Sequence, residues 1–185
     1  MTLLPRAFWF LRHGETDWNA QNLSQGNVDI PLNDNGRAQA VAAAAQLRNR
    51  GIASIVSSPL SRAHDTALTI GATIGLPVAL DDGLRETSFG KQEGQPMVQW
   101  FTDWVAGTYT PDDAESFAHL RARAAAAINR ALAMPAPVLV VAHGAFFRAV
   151  RAEMGLEPNI RTPNATPYFC RPGTPWELVA AAELR

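Results

Sequence analysis

The sequence has little of several features that would assign it to a common class of protein. Among its 185 residues there is one cysteine, Cys170, so no intrachain disulfide can form and a reduced, cytoplasmic setting is expected. No apolar stretch reaches membrane-spanning length, and the N-terminal segment lacks the cleavage site of a signal peptide. The formal net charge is -1, which provides no broad basic surface for nucleic acid or for an anionic membrane. Any phosphate binding must therefore be local.

What is present fits one compact domain over residues 1–185. Apolar residue types make up 47% of the chain, enough for a sizeable core. Strand-like runs alternate with helix-like segments, which predicts an α/β fold, a three-layer αβα sandwich around a mostly parallel sheet. Ser58 with Pro59, and Asp112 or Asp113, are expected to begin two of the helices. Strands are predicted at 7–11, 52–56, 77–80, 138–142 and 176–181, and helices at 36–51, 58–74, 114–133 and 146–154.

Charged and titratable residues follow the predicted strands. Arg12 and His13 come directly after the first strand, and Arg62 lies in the first turn of the helix after the second. Glu86 follows the third strand and His143 the fourth. Because functional groups collect at the carboxyl ends of strands in open α/β sheets, these five residues are expected to meet at one edge. A buried arginine pair without a counter-charge would be poorly solvated, so the pattern predicts an anionic ligand.

Both strand-end histidines are followed by glycine, Gly14 and Gly144. Glycine lets a backbone approach an anionic ligand closely, and a helix N-terminus beside it adds N–H donors. A single histidine after a strand is more often a structural, hydrogen-bonded residue, and His64 and His119 are interpreted in that way. Two His-Gly pairs at two strand ends favour a functional site.

Four segments carry a resemblance to a known family: RHGETDWN, SSPLSRAHDTA, LRETSFGKQEG and VVAHGAFFRAV. In this order they resemble the signature blocks of the histidine phosphatase superfamily, in the branch that contains cofactor-dependent phosphoglycerate mutases and small phosphatases. The match extends from Phe8 to about Asn164. The resemblance implies a phosphoglycerate mutase-like fold and a phosphomonoesterase that needs neither cofactor nor metal.

The resemblance also implies a role for each strand-end residue. His13 is the nucleophile that forms a phosphohistidine, and Arg12 and Arg62 bind the phosphoryl oxygens. His143 binds the phosphoryl group and its transition-state charge. Glu86 first donates a proton to the leaving oxygen and then acts as a base towards water, although it could instead be a solvated loop carboxylate.

Five further residues are implied to bind the substrate. Asn19 would be an additional donor, although a residue of this type at such a position also caps turns. Backbone N–H groups after the second histidine would reach the phosphoryl group. The five residues are Asn19, Gln25, Gly26, Gly144 and Ala145.

Three other functions stay open at this point. A mutase would also use these residues, but the mutases of the family carry longer insertions before the second histidine and a longer C-terminal tail. A catalytically silent phosphate-binding module on the same fold is the second. The third is a metal hydrolase that uses His13, His143, Glu15, Asp17 or Glu86, and no metal-binding spacing supports it.

A lid-like segment is expected at about 91–115. Neither Lys nor Arg occurs between Lys91 and Arg121, and several aromatic residues stand there instead. These aromatics either pack the segment onto the core or face the substrate. Because a lid without cations offers little to a second anionic group, we expect a small phosphomonoester with an uncharged leaving group, unless Arg161 or Arg171 folds back. The sequence leaves open whether the chain forms a homodimer.

Overall fold

The structure of the protein is a computed structural model that describes residues 2–184, so positions 1 and 185 of the expected domain lie outside the described residues. Six strands form one sheet. The strands are β1 (Phe8–Arg12), β2 (Ser54–Ser57), β3 (Val78–Leu80), β4 (Val138–Ala142), β5 (Pro167–Arg171) and β6 (Glu177–Ala180). The α-helices are α1 (Asp17–Ala20), α2 (Asp34–Leu47), α3 (Ser61–Ile74), α4 (Gln99–Ala106), α5 (Phe117–Ala131) and α6 (Gly144–Glu153).

The sheet has the strand order β3-β2-β4-β1-β5-β6. The pairs among β1 to β4 are parallel, and β5 and β6 are added antiparallel at one side. Arg12 at the end of β1 lies opposite Ala142 at the end of β4, and the His13 N–H donates to the Ala142 carbonyl over 3.0 Å. The two histidines therefore leave adjacent strands at the same edge, and the predicted α/β fold with a mostly parallel sheet is confirmed.

Alternation along β1 divides the core into two layers. Phe8 and Phe10 pack on one face of the sheet with α5 and α6, whereas Trp9 and Leu11 pack on the other face with α2 and α3. All five residues of β1 are buried, because helices cover both faces. Burial on both faces explains why the residues of β1 are apolar up to Arg12, the last residue of the strand. None of the described helices is long and apolar enough to cross a bilayer.

Two predicted helix starts are wrong. Helix α3 begins at Ser61, because the Ser58 N–H still donates to Val141 of β4 and so extends the sheet. Helix α5 begins at Phe117, and the Ser116 side chain accepts the His119 N–H at its N-terminus. Asp113 cannot start that helix, because it adopts a left-handed conformation with φ +60°.

Three elements were not predicted. Strand β5 contains Pro167 and precedes Pro172, residues that indicate a loop, yet it pairs with β1 and buries Cys170 completely. The burial raises the pKa of the Cys170 thiol, which behaves as a small apolar side chain. Helix α4 lies within the lid-like segment, and the single turn α1 follows His13 closely.

Candidate active site

A cleft opens at the carboxyl edge of the sheet, where the predicted residues converge. All of the predicted site residues except His143 line it. His143 lies directly behind the lining, with its ring centroid 5.3 Å from that of His13. The predicted residues that line the cleft are Arg12, His13, Asn19, Gln25, Gly26, Arg62, Glu86, Gly144 and Ala145.

His13 is buried and has a defined tautomer. Its Nδ1 lies 2.6 Å from the Gly14 carbonyl oxygen, which can only accept, so Nδ1 carries the ring proton and Nε2 keeps a lone pair. Burial lowers the His13 pKa well below its ordinary value of 6.5, and the nearby charges of Arg62 and Arg12 lower it further. The ring is therefore neutral at physiological pH, with Nε2 free to act as a nucleophile.

Two buried arginines flank His13 without an ion-pair partner among the described residues. Arg62 donates to the carbonyls of Gly26 and Val28 over 2.8 and 2.9 Å, and Arg12 donates to Thr162 over 2.7 Å. The Nε atoms of both arginines are buried and have no partner within the described chain. Burial lowers the pKa of each to about 10, although Glu86 opposes the shift, so both remain charged. Two unpaired cations in one cleft require an anionic ligand.

His143 is positioned by a hydroxyl group. Its Nε2 lies 2.7 Å from Ser58 Oγ, which already accepts the Leu60 N–H over 3.3 Å. When Ser58 donates its proton to Nε2, the ring proton of His143 lies on Nδ1. That Nδ1 is buried and without a partner among the described residues. Burial, and then the charge of Arg62, lower the His143 pKa well below 6.5, so this ring is neutral.

Glu86 is held at the N-terminus of α6. Its carboxylate accepts the N–H groups of Ala145 and Phe146 over 2.9 and 2.8 Å and that of Thr87 over 3.1 Å. The helix dipole favours a negative charge at this point. The Ala145 N–H, which we expected to face the phosphoryl group, is thus used by Glu86. The carboxylate is buried, and it is not the solvated loop residue of the alternative interpretation.

Asn19 both caps a turn and lines the cleft. Its Oδ1 accepts the Thr16 N–H over 3.2 Å in the capping box of α1, whereas its Nδ2 donates to no described residue. Gln25 is similar: Oε1 accepts from the Thr16 hydroxyl over 2.9 Å, and Nε2 donates to no described group. Both residues line the cleft, and the N–H groups of both amides have no acceptor among the described residues. Gly26, with φ +53°, uses its carbonyl to hold Arg62.

The two glycines after the histidines serve packing within the protein. A Cβ on Gly14 would lie 2.4 Å from the Gly36 carbonyl oxygen, so this glycine lets the loop after β1 touch the start of α2. A Cβ on Gly144 would lie 3.2 Å from Arg12 Nε, so this one makes room for the arginine. Gly14 is not among the residues that line the cleft, so the expected close approach of its backbone to the ligand stays a prediction.

Two further arginines line the cleft, Arg148 and Arg161. Sequence reasoning missed Arg148, and it named Arg161 only as a residue that could fold back. Arg148 stands four residues after Gly144 in α6, so helical spacing could have placed it on the same face. Arg161 has no local signal, because only the path of the chain between α6 and β5 brings it to the cleft. Arg171, by contrast, pairs with Glu177 across β5 and β6. Arg161 does fold back to the cleft, so the exception to the expected uncharged leaving group applies.

The apolar side chains of the lid-like segment at about 91–115 have two different roles. Trp104 is fully buried and packs against Phe89 with ring centroids 5.2 Å apart, as the packing interpretation predicts. Met97 and Phe101 line the cleft instead. The segment thus contributes apolar side chains to the lining of the cleft.

The metal-hydrolase alternative requires a cluster of ligands. Within residues 2–184, no group of three or more His, Cys, Asp or Glu side chains is placed to hold a metal ion. Glu15, one of the ligands considered, accepts from Asn33 over 3.0 Å. The alternative therefore has no ligand set in the described part of the chain.

A parallel sheet that presents two neutral histidines, two unpaired arginines and a carboxylate at one edge is suited to phosphoryl transfer. The chain matches the histidine phosphatase superfamily (branch 1) over residues 8–164, and it belongs to that superfamily. A glucosyl-3-phosphoglycerate phosphatase of Mycobacterium tuberculosis is 36% identical over 167 residues, 80% of this chain and 75% of the relative. A probable phosphoglycerate mutase of Yersinia pestis is 38% identical over 147 residues, 74% of this chain and 68% of the relative.

The fold comparison agrees. A solved structure of mycobacterial glucosyl-3-phosphoglycerate phosphatase in complex with VO3 matches with a TM-score of 0.83 at 34% identity, over 95% of this chain and 98% of the other. The protein is thus a histidine phosphatase with a phosphoglycerate mutase-like fold, an enzyme class that hydrolyses phosphate monoesters without a metal ion.

Proposed function

We propose that this protein hydrolyses a small phosphomonoester in two steps, with His13 as the phosphoryl acceptor. In the first step the lone pair of His13 Nε2 attacks phosphorus in line with the ester oxygen, the P–O ester bond breaks, and the alcohol leaves with a proton. In the second step water attacks the phosphohistidine, the P–N bond breaks, and inorganic phosphate is released. No redox change or co-reactant other than water is needed.

One observation carries this proposal. Three buried nitrogens, Arg12 Nε, Arg62 Nε and His143 Nδ1, have no hydrogen-bond partner among the described residues, and the arginines and His13 line the same cleft. A buried donor without an acceptor costs about 1–3 kcal/mol, more for a charged group. Phosphoryl oxygens beside His13 would satisfy all three and would be stabilised as charge develops in the transition state.

Glu86 is proposed to move the protons. It is the only acidic side chain that lines the cleft in the described part of the chain. A carboxylic acid can protonate the leaving oxygen, and the resulting carboxylate can then accept a proton from the attacking water. The N–H groups of Ala145 and Phe146 hold the carboxyl in place for both steps.

The remaining expectations are part of the same proposal. We infer that residues 1–185 act as one domain with a lid at about 91–115, that no cofactor is needed, and that nucleic acid is not a partner. A cytoplasmic enzyme is supported by the single buried thiol, Cys170. A homodimer stays a prediction, which light scattering on the purified protein would test.

The test of the mechanism is to trap the phosphoenzyme. Acid-labile phosphate should appear on the wild-type chain during turnover of p-nitrophenyl phosphate, and it should be absent from His13→Ala together with the activity. His119→Ala is the matched control, because His119 is exposed and lies away from the cleft. Turnover by His13→Ala, or a phosphoenzyme on another residue, would contradict the proposal. Rapid interconversion of 2- and 3-phosphoglycerate would favour the mutase alternative. The absence of turnover for every monoester would favour the catalytically silent module.

A further inference from the structure

Arg148 is a buried cation that the phosphoryl site does not account for. Its side chain is only 7% exposed, and its guanidinium lies 4.9 Å above the ring of Phe101. Its Nη1 donates to the Gly144 carbonyl over 3.3 Å, and its Nε to Asn159 Oδ1 over 3.4 Å. It has no ion pair with any described residue. The side chain is thus fixed in position, while its charge lacks a counter-charge.

Arg161 approaches the same part of the cleft from the segment between α6 and β5. It is exposed, and its guanidinium donates no hydrogen bond to a described residue. Burial lowers the Arg148 pKa to about 10, Glu86 opposes that shift, and the charge of Arg161 lowers it further, so the two guanidinium groups repel each other. Two like charges converge on one part of the cleft.

The position of this pair relative to the phosphoryl site is set by short connections. Arg12 of the phosphoryl site donates to the carbonyl of Thr162, the residue after Arg161. Arg148 stands one helical turn beyond Gly144, which packs against Arg12. The pair therefore lies next to the phosphoryl site within a single cleft. An uncharged leaving group would leave Arg148 desolvated and unpaired, which is costly.

We propose that Arg148 and Arg161 bind a carboxylate on the leaving group, so that the substrates are phosphorylated small carboxylic acids. This inference rests on the proposed phosphatase function. It adds to that function a second anion site on the leaving-group side of His13.

A carboxylate fits this pair better than a second phosphate does. The phosphoryl site offers two buried arginines and two histidines, whereas the second site has one buried arginine with two of its nitrogens already used by Gly144 and Asn159. A planar carboxylate can be met by the remaining N–H groups of one guanidinium fork, with Arg161 adding charge. The substrates in the names of both relatives reported above, glucosyl-3-phosphoglycerate and phosphoglycerate, also carry a carboxylate.

The test compares two esters that differ only in this group. 3-Phosphoglycerate has a carboxylate where glycerol 3-phosphate has a hydroxymethyl group. We expect the wild-type kcat/KM to favour 3-phosphoglycerate by about tenfold or more, the ratio that one charge-assisted hydrogen bond provides. Arg148→Met and Arg161→Gln should each bring this ratio towards one. Arg171→Gln is the matched control and should keep the wild-type ratio, because Arg171 lies outside the cleft.

The outcomes separate the two proposals. Equal kcat/KM for both esters in an enzyme that hydrolyses p-nitrophenyl phosphate through His13 would overturn the carboxylate site alone. A wild-type preference that survives in both cleft variants would also overturn it. Arg161 is exposed, so Arg161→Gln still decides the question if Arg148→Met does not fold. Faster hydrolysis of 2,3-bisphosphoglycerate than of 3-phosphoglycerate would show a second phosphate site instead. Failure to hydrolyse every monoester, p-nitrophenyl phosphate included, would overturn both proposals.

Discussion

The two histidines of the cleft, His13 and His143, are neutral because they are buried beside arginine side chains. Their pKa values in the folded protein lie below the value of about 6.5 in an unfolded chain. As the pH falls below that value, the unfolded chain binds protons that the folded chain does not. The contribution of the two neutral histidines to the free energy of unfolding should therefore be complete above pH 6.5. It should decrease as the pH falls below that value.

Urea denaturation from about pH 7.5 to about pH 5.5, in a buffer without phosphate, would measure this loss. His13→Asn should show a smaller decrease in unfolding free energy than the wild type, whereas His119→Asn should match the wild type. If His13→Asn loses as much stability as the wild type over this range, the histidine does not have a depressed pKa.

Glu86 is assigned to proton transfer, and its importance should depend on the leaving group. An alkoxide needs a proton as it leaves, but a nitrophenolate hardly does. We expect Glu86→Gln to lower kcat/KM by about a hundredfold for an alkyl phosphate and far less for p-nitrophenyl phosphate. Steady-state kinetics on the two esters would measure this. A similar loss for both would argue that Glu86 only holds the start of α6 in place.

Among the elements, helix α5 offers a direct test of where a helix begins. The sequence favours Asp112 or Asp113 as the residue that caps its start, whereas the structure has Ser116 as the N-cap, with its side chain accepting the His119 N–H over 3.2 Å. Ser116→Ala should lower the free energy of unfolding by about 1 kcal/mol. Asp112→Ala should change it by less than about 0.5 kcal/mol, because the Asp112 side chain makes only an exposed ion pair with Lys91. Equal effects in urea denaturation would contradict the observed start.

At the scale of the whole molecule, an anion bound in the cleft would join parts of the chain that are distant in sequence. Its partners would come from β1, the start of α3 and the end of β4, where Arg12, Arg62 and His143 lie. Binding to the folded state alone stabilises it, by about 2.7 kcal/mol at a hundredfold excess over Kd. Orthovanadate should therefore raise the Tm by on the order of 5 °C or more. Arg62→Met should lose most of this shift and Arg171→Gln none of it; an undiminished shift in Arg62→Met would mean that vanadate binds elsewhere.

The sequence by itself determined the parts of this protein that depend on local pattern. The buried run of β1 follows from its apolar residues, and the positions of His13 and His143 follow from the rule that parallel strands end at one edge. The class of enzyme follows from the order of the four segments around them. These features need no knowledge of distant contacts.

Only the tertiary structure decided the features that depend on a partner from elsewhere in the chain. Strand β5 contains a proline and is stabilised by pairing with β1, which no local pattern shows. The Ala145 N–H binds Glu86 and not a phosphoryl oxygen, because the loop after β3 reaches the start of α6. Arg161 joins the cleft through the path of a loop whose own residues carry no signal for it. Hydrogen bonds and charges act over distances in space, so these polar contacts at the cleft could not be derived from spacing along the chain.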